Sequence, residues 1–161
     1  MTARTVLISV LAAAWLSASV SDARAQGEAP WFGTWLLIPA PAGRFDSPPY
    51  KKVTARIQPW EDGLRVTYDL VRTRGGIEHR EWTGRFDGKD YPVQGVEYVL
   101  TNAYRLVDAR RYEIVIKRDG QVAATAVAVV SPDGATLTVT TAEKDSTGET
   151  VSTATVYRKV G

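Results

Sequence analysis

The chain of 161 residues contains no cysteine and a single histidine. Without cysteine there is no disulfide, no thiol nucleophile and no thiolate metal site, and nothing to carry a lipid tether on sulfur. An excess of one charge is also missing, since 20 Lys and Arg stand against 18 Asp and Glu. No Lys/Arg-rich run is present, so nucleic-acid binding would lack its main source of affinity. The apolar stretch Val6 to Leu16 falls short of the roughly 20 residues a membrane-spanning helix needs. Beyond residue 25 no segment keeps a helical period over three turns. The common enzyme signatures are absent too: no Gly-x-Ser-x-Gly elbow, no Gly-x-Gly-x-x-Gly and no Walker-type loop.

The first 25 residues have the form of a cleavable secretory signal. Arg4 supplies the positive start, Val6 to Leu16 the apolar stretch, and Ala23-Arg24-Ala25 a small-x-small site ahead of Gln26. These residues take two of the basic and one of the acidic side chains, leaving a formal charge of +1 on the remainder. The expected organisation is a signal over 1–25, a short tail over 26–30, and one domain over 31–161. A soluble periplasmic or extracellular location follows.

What fills the domain is a repeated strand-and-turn pattern. Asp62-Gly63, Gly75-Gly76, Asp87-Gly88, Asp119-Gly120, Asp133-Gly134 and Thr147-Gly148 punctuate it, and such pairs suit tight hairpin turns. A polar break at Asp108-Ala109-Arg110 divides the one long interval. Between the breaks, apolar residues take alternate positions, as in Leu64, Val66, Tyr68 and Leu70, the period of a half-buried strand. Val122 to Val130 is apolar on both faces, predicting a strand covered outside as well as inside. About nine strands result: 31–38, 51–59, 63–71, 77–86, 97–107, 111–118, 121–131, 135–142 and 149–159. Residues 89–95, with Pro92, read as a loop, and Pro39 to Pro49 as extended, polyproline-like chain. A meander of this size must hide two sheet edges, and closure hides both. The predicted fold is all-β: an antiparallel up-and-down meander closed into a small barrel of about 8–10 strands, its interior either filled or just able to hold one small ligand.

Several phrases carry a resemblance. Trp31-Phe32-Gly33-Thr34-Trp35-Leu36 resembles the opening strand of calycin barrels, the lipocalins and fatty-acid-binding proteins, and Thr155-Val156-Tyr157-Arg158-Lys159 resembles the closing strand of the fatty-acid binders. Gly33-Thr34-Trp35, Glu81-Trp82-Thr83-Gly84, Phe86 to Val93 and Ser131-Pro132-Asp133-Gly134 are similar to a group of uncharacterised exported bacterial proteins of lipocalin-like shape. The resemblance spans nearly all of 31–159 and implies a calycin-like barrel, with no activity attached. It also implies a structural role for Trp35 at the barrel base, capped by a cation such as Arg158. Three departures set the chain apart from the fatty-acid binders. Thr155 stands where they carry a carboxylate-gripping arginine, and Ala124 to Val130, where their second internal arginine would fall, is uncharged. The proline segment replaces their helical lid.

Candidate chemistry is sparse. His79 shares its strand face with Glu81 and lies opposite Glu78, which reads as a solvated surface histidine; one His without Cys makes a weak metal site. Asp87, Asp90 and Glu61 sit beside turn residues and suit turn hydrogen bonding. No catalytic residue, metal ligand or cofactor is assigned. The aromatics offer more. Tyr68, Trp82, Phe86 and Tyr157 would line the interior if it is hollow and form the core if it is filled. Arg80 shares a face with Trp82 and Phe86, either as an inward cation with a partner such as Glu97 or turned to solvent by a bulge. Tyr68, Arg80, Trp82, Phe86 and Tyr157 are therefore the candidate ligand-binding residues. The expected function is non-catalytic binding of a small apolar or weakly polar molecule. The alternative is a solid-core envelope or secreted protein that acts through its surface or through segment 39–49.

Overall fold

The structure is a computed structural model that describes residues 29–39 and 50–160. The expected signal over 1–25, most of the tail over 26–30, and the proline segment from 40 to 49 lie outside the described residues.

Ten antiparallel strands follow one another round a closed barrel. They are β1 (Gly33–Leu37), β2 (Tyr50–Trp60), β3 (Gly63–Arg72), β4 (Ile77–Arg85), β5 (Tyr91–Gln94), β6 (Leu100–Asp108), β7 (Arg111–Arg118), β8 (Gln121–Val130), β9 (Thr136–Lys144) and β10 (Thr150–Lys159). Each strand pairs with its neighbours in sequence, and β1 pairs with both β2 and β10, for example Trp35 opposite Ala55 on one side and Lys159 on the other. The up-and-down closed meander read from the alternation is the fold.

Four local readings need correction. Residues 89–95 are not wholly loop: Tyr91–Gln94 forms a short strand, joined to β4 and β6 by only two residue pairs on each side. Pro92 has no N–H to give a ladder, so pairing there is minimal. The following strand accordingly starts at Leu100, after the turn at Gly95, instead of at residue 97. Trp31 precedes β1 in a turn closed by the Phe32 amide on the Ala29 carbonyl at 3.0 Å. The outer face of β8 is uncovered: Ala124, Ala126, Ala128 and Val130 are buried inward, whereas Val122 and Val129 are exposed. No helix packs on the barrel among the described residues to cover them.

The turns behave as their residues dictate. Asp87, Asp133 and Asp145 each accept a backbone N–H two residues on, at 3.0, 3.0 and 2.8 Å, which is local turn bonding. Gly63 differs from the other turn glycines. The positive φ of its hairpin falls on Glu61 (50°), and Gly63 is needed because a Cβ there would lie 1.9 Å from the Gly84 carbonyl oxygen.

One end of the interior is solid. Trp35 is fully buried, and its indole N–H donates to the Trp31 carbonyl at 2.8 Å. Trp31 meets Phe86 and Tyr112 edge-on, with centroids 5.8 and 5.4 Å apart, and Tyr104 joins Tyr112 at 6.1 Å. Edge-to-face pairs of this kind add about 0.5–1.5 kcal/mol each beyond the area they bury. The cation over Trp35 is Lys159, its Nζ 5.2 Å from the ring centroid, and not Arg158. The register explains the exchange: Lys159 lies opposite Trp35 and shares its face at the barrel end, whereas Arg158 lies opposite Leu36 on the other face. Gly84 makes room for this plug, because a Cβ there would stand 2.6 Å from the Tyr104 ring. Gly84→Ala is expected to lower stability by about 1–3 kcal/mol through overpacking. A reduced urea midpoint with unchanged m-value would show it, and an unchanged midpoint would mean Tyr104 is not held against this strand.

Candidate functional site

Above the aromatic base the side chains shrink and a cavity of about 310 Å³ opens. Its wall is mainly aliphatic, with Val53, Leu70, Ile114, Ile116, Ala126 and Val139 contributing. The inward positions of β8 nearer the mouth, Ala124 and Ala126, are alanines, which reach too little into the interior to fill it. The open end is the one bearing the β3–β4, β5–β6, β7–β8 and β9–β10 turns. Exposed Ile77, Val99, Val122 and Val151 sit beside those turns, giving the rim an apolar character. β1 ends and β2 begins at this same end.

Of the five residues expected to line a ligand site, the structure brings four together: Tyr68, Arg80, Trp82 and Tyr157 all line the cavity. Phe86 does not. It lies just past the end of β4 and packs into the base against Trp31, Tyr104 and Tyr112. Tyr68 and Trp82 stack nearly parallel, centroids 5.4 Å apart and planes 12° from coplanar. The Tyr68 hydroxyl donates to that of Tyr157 at 3.5 Å. Burial pushes the Tyr68 phenol well up and the Tyr157 phenol up, so both stay neutral near pH 7. Neither is a candidate base.

Arg80 does face inward, opposite Tyr68 across the ladder. Its partner is Glu78 and not Glu97: Arg80 Nε donates to Glu78 Oε1 at 2.7 Å. Residues two apart on a strand share a face, so Glu78 is the nearest inward acid. Its other oxygen accepts from the Tyr50 hydroxyl and from Arg72 Nη2, each at 3.0 Å. The Arg80 guanidinium, with Arg72 and Tyr50, holds the Glu78 carboxyl below the usual carboxylate range despite partial desolvation. Its folded pKa is lowered, so the stabilisation is present above the unfolded pKa and is lost as pH falls through the lowered value. At neutral pH the Glu78 carboxylate is ionised and shared between Arg80 and Arg72.

The residue that alternation reasoning passed over is Asn102. It shares the inward face of β6 with Leu100 and Tyr104, lines the cavity, and is 7% exposed. Its Nδ2 donates to the Tyr104 hydroxyl at 3.3 Å, and Trp82 Nε1 donates to the same hydroxyl. The signal was available, because Leu100, Asn102 and Tyr104 occupy alternate positions and a polar residue between two inward apolar ones marks a buried polar group.

The remaining acid–base candidates lie outside the cavity. His79 is on the outer wall, Nδ1 at 2.8 Å from Asp69 Oδ1 and Nε2 at 3.9 Å from Glu81 Oε2, with its side chain 56% exposed. Asp90 pairs with Lys117 at 2.8 Å, and Glu61 pairs with Arg85. Among the described residues no group of three or more His, Asp or Glu is placed to hold a metal ion. Arg158 borders a surface hollow with Leu36, Ile38 and Lys52. The cavity therefore combines an aliphatic wall, a floor of neutral hydroxyl and amide groups, and, near its mouth, an Arg80 held by a carboxylate that it shares with Arg72.

No protein-family model matches the chain, and no curated protein matches it significantly.

Removing the internal counter-charge should change what the cavity accepts. In Glu78→Gln the Arg80 guanidinium loses its carboxylate, and affinity for a small aromatic carboxylate such as 2-naphthoate is expected to rise about tenfold, the scale of one charge-assisted hydrogen bond. Equilibrium dialysis at neutral pH measures this. Equal binding by both proteins would show that Arg80 does not reach a bound anion.

Proposed function

We propose that this chain is an exported, non-catalytic lipocalin-like carrier for one small, neutral molecule, apolar or weakly polar. The observation that carries the reading is the cavity of about 310 Å³, walled by aliphatic side chains above a closed aromatic base. Ligand cavities begin at about 300 Å³ and are lined mostly by apolar and aromatic groups with a few polar ones. Tyr68, Trp82 and Tyr157 are those aromatics, and Glu78 pairs with Arg80, the one cation that lines the space among the described residues. Neutrality of the ligand follows from the same balance, since an unpaired ion in such a wall is costly.

Export rests on the signal-like first 25 residues, and a soluble periplasmic or extracellular setting fits the outer wall. Arg56–Asp69, Arg65–Glu81 and Arg105–Glu113 pairs lie on that wall, where a membrane barrel needs an uncharged band. Among the described residues no helix is long and apolar enough to cross a membrane. A non-catalytic role is favoured because the buried phenols stay protonated and the one histidine faces away from the cavity.

Filling the cavity tests the reading. Ala126 is buried and lines the space, so Ala126→Phe is expected to place its ring in the void with the fold intact. Saturable binding of naphthalene to the wild type, measured by equilibrium dialysis, should weaken at least tenfold in this variant. No saturable binding of naphthalene-sized neutral probes to the folded wild type would end the proposal, as would binding indifferent to Ala126→Phe.

A further inference from the structure

Among the described residues, one fully buried polar atom at the cavity wall has no partner within the protein. Asn102 is more than nine-tenths buried and lines the space, yet its Oδ1 has no hydrogen-bond partner. Its amide is engaged at one end only, by the Tyr104 hydroxyl, which also receives Trp82 Nε1. A buried amide oxygen left unpaired costs about what a lost hydrogen bond costs, so the site gains when something fills that position.

We propose that Asn102 recognises a hydroxyl group on a neutral, mostly hydrocarbon ligand that enters polar end first. This rests on the carrier reading and adds the chemical class. A hydroxyl both donates and accepts. The terminal torsion of an Asn side chain is broad, so whichever end of the amide turns to the cavity, a hydroxyl pairs with it. A carboxylate does not suit this depth. The cation lining the cavity, Arg80, is held by Glu78 and lies nearer the mouth end of β4 than Trp82. A pure hydrocarbon leaves the amide unpaired. Size narrows the class further: 310 Å³ is the liquid volume of about ten water molecules, which suits a ligand of about ten non-hydrogen atoms. Small phenols and terpenoid-sized alcohols meet these conditions.

A matched pair of probes reads the hydroxyl alone. 2-Naphthol and 2-methylnaphthalene have the same shape and differ in OH against CH₃. In a wholly apolar cavity the methyl compound binds better, because the hydroxyl is stripped of water without return. The quantity to measure by equilibrium dialysis is the naphthol-to-methylnaphthalene affinity ratio, in the full wild-type protein and in Asn102→Leu, which keeps the volume and removes both polar atoms. The ratio is expected to fall about tenfold in the variant, while methylnaphthalene binding is retained or improved. Asn102→Ala reads the same ratio should the leucine variant fail to fold. A change of less than threefold overturns the inference and leaves the carrier reading standing, with Asn102 serving only Tyr104 or holding water. Failure of both probes to bind the wild type overturns the two together.

Discussion

Everything in this molecule depends on the short strand β1 hydrogen-bonding on both sides. Its residues Gly33–Leu37 pair with β2 and with β10, and the Ile38 amide on Val156 O and the Val160 amide on Thr34 O, each 2.8 Å, extend the seam at both ends. Without that double pairing the meander would be an open, twisted sheet with two free edges. With it, each strand acquires one face that cannot reach solvent. The seam also builds the base. Trp35 comes from β1 and Lys159 from β10, and their stacking lies across the closure itself. Tyr157, two residues before Lys159, carries the same seam up to the cavity, where it meets Tyr68. Closure, plug and cavity floor are parts of one structure.

Closure alone does not decide where the interior is hollow; side-chain volume along each strand does. At the base, Trp31, Trp35, Phe86, Tyr104 and Tyr112 converge from four separate parts of the chain. Toward the mouth the inward positions carry Ala124 and Ala126 on β8 and Thr141 on β9. The polar groups are graded in the same direction. Deep in the barrel they are neutral hydroxyl, indole and amide groups, and only at the mouth does a charged group line the space, already matched by Glu78. On the proposed carrier reading, electrostatics in such an interior would contribute selectivity for neutral ligands while the aliphatic wall would contribute affinity.

Strand positions and the closed topology were legible because alternation and turn pairs are local signals. Facing was legible too: Tyr68, Arg80, Trp82 and Tyr157 all point inward as alternation requires. Depth was not. Phe86 shares the parity of Trp82 but lies four residues nearer the base, and only the register of β3 on β4 and the turn beyond Arg85 place it among Trp31 and Tyr112. Arg158 and Lys159 differ by one position, and a single step reverses the face, so the base cation could be named only once Lys159 was seen opposite Trp35. β5 escaped notice because a strand with two pairs per side and a proline leaves almost no periodic trace. The covered outer face expected for β8 failed because its valines signal strand propensity as readily as burial.

The outward valines and inward alanines of β8 also bear on why a cavity persists. An inward residue one or two methyl groups larger than Ala126 would add contacts and remove void, and core packing ordinarily rewards such filling. Chains nonetheless depart from good packing where a site requires it, and other contacts make up the loss. Here the compensation is visible at the opposite end of the same barrel, in the aromatic cluster around Trp31 and Tyr112. A base packed so tightly that Gly84 must lack a side chain keeps the ten strands in register while the mouth stays underfilled. The division is axial: the interior is solid where the ring of hydrogen bonds is plugged and hollow where side chains leave it unfilled.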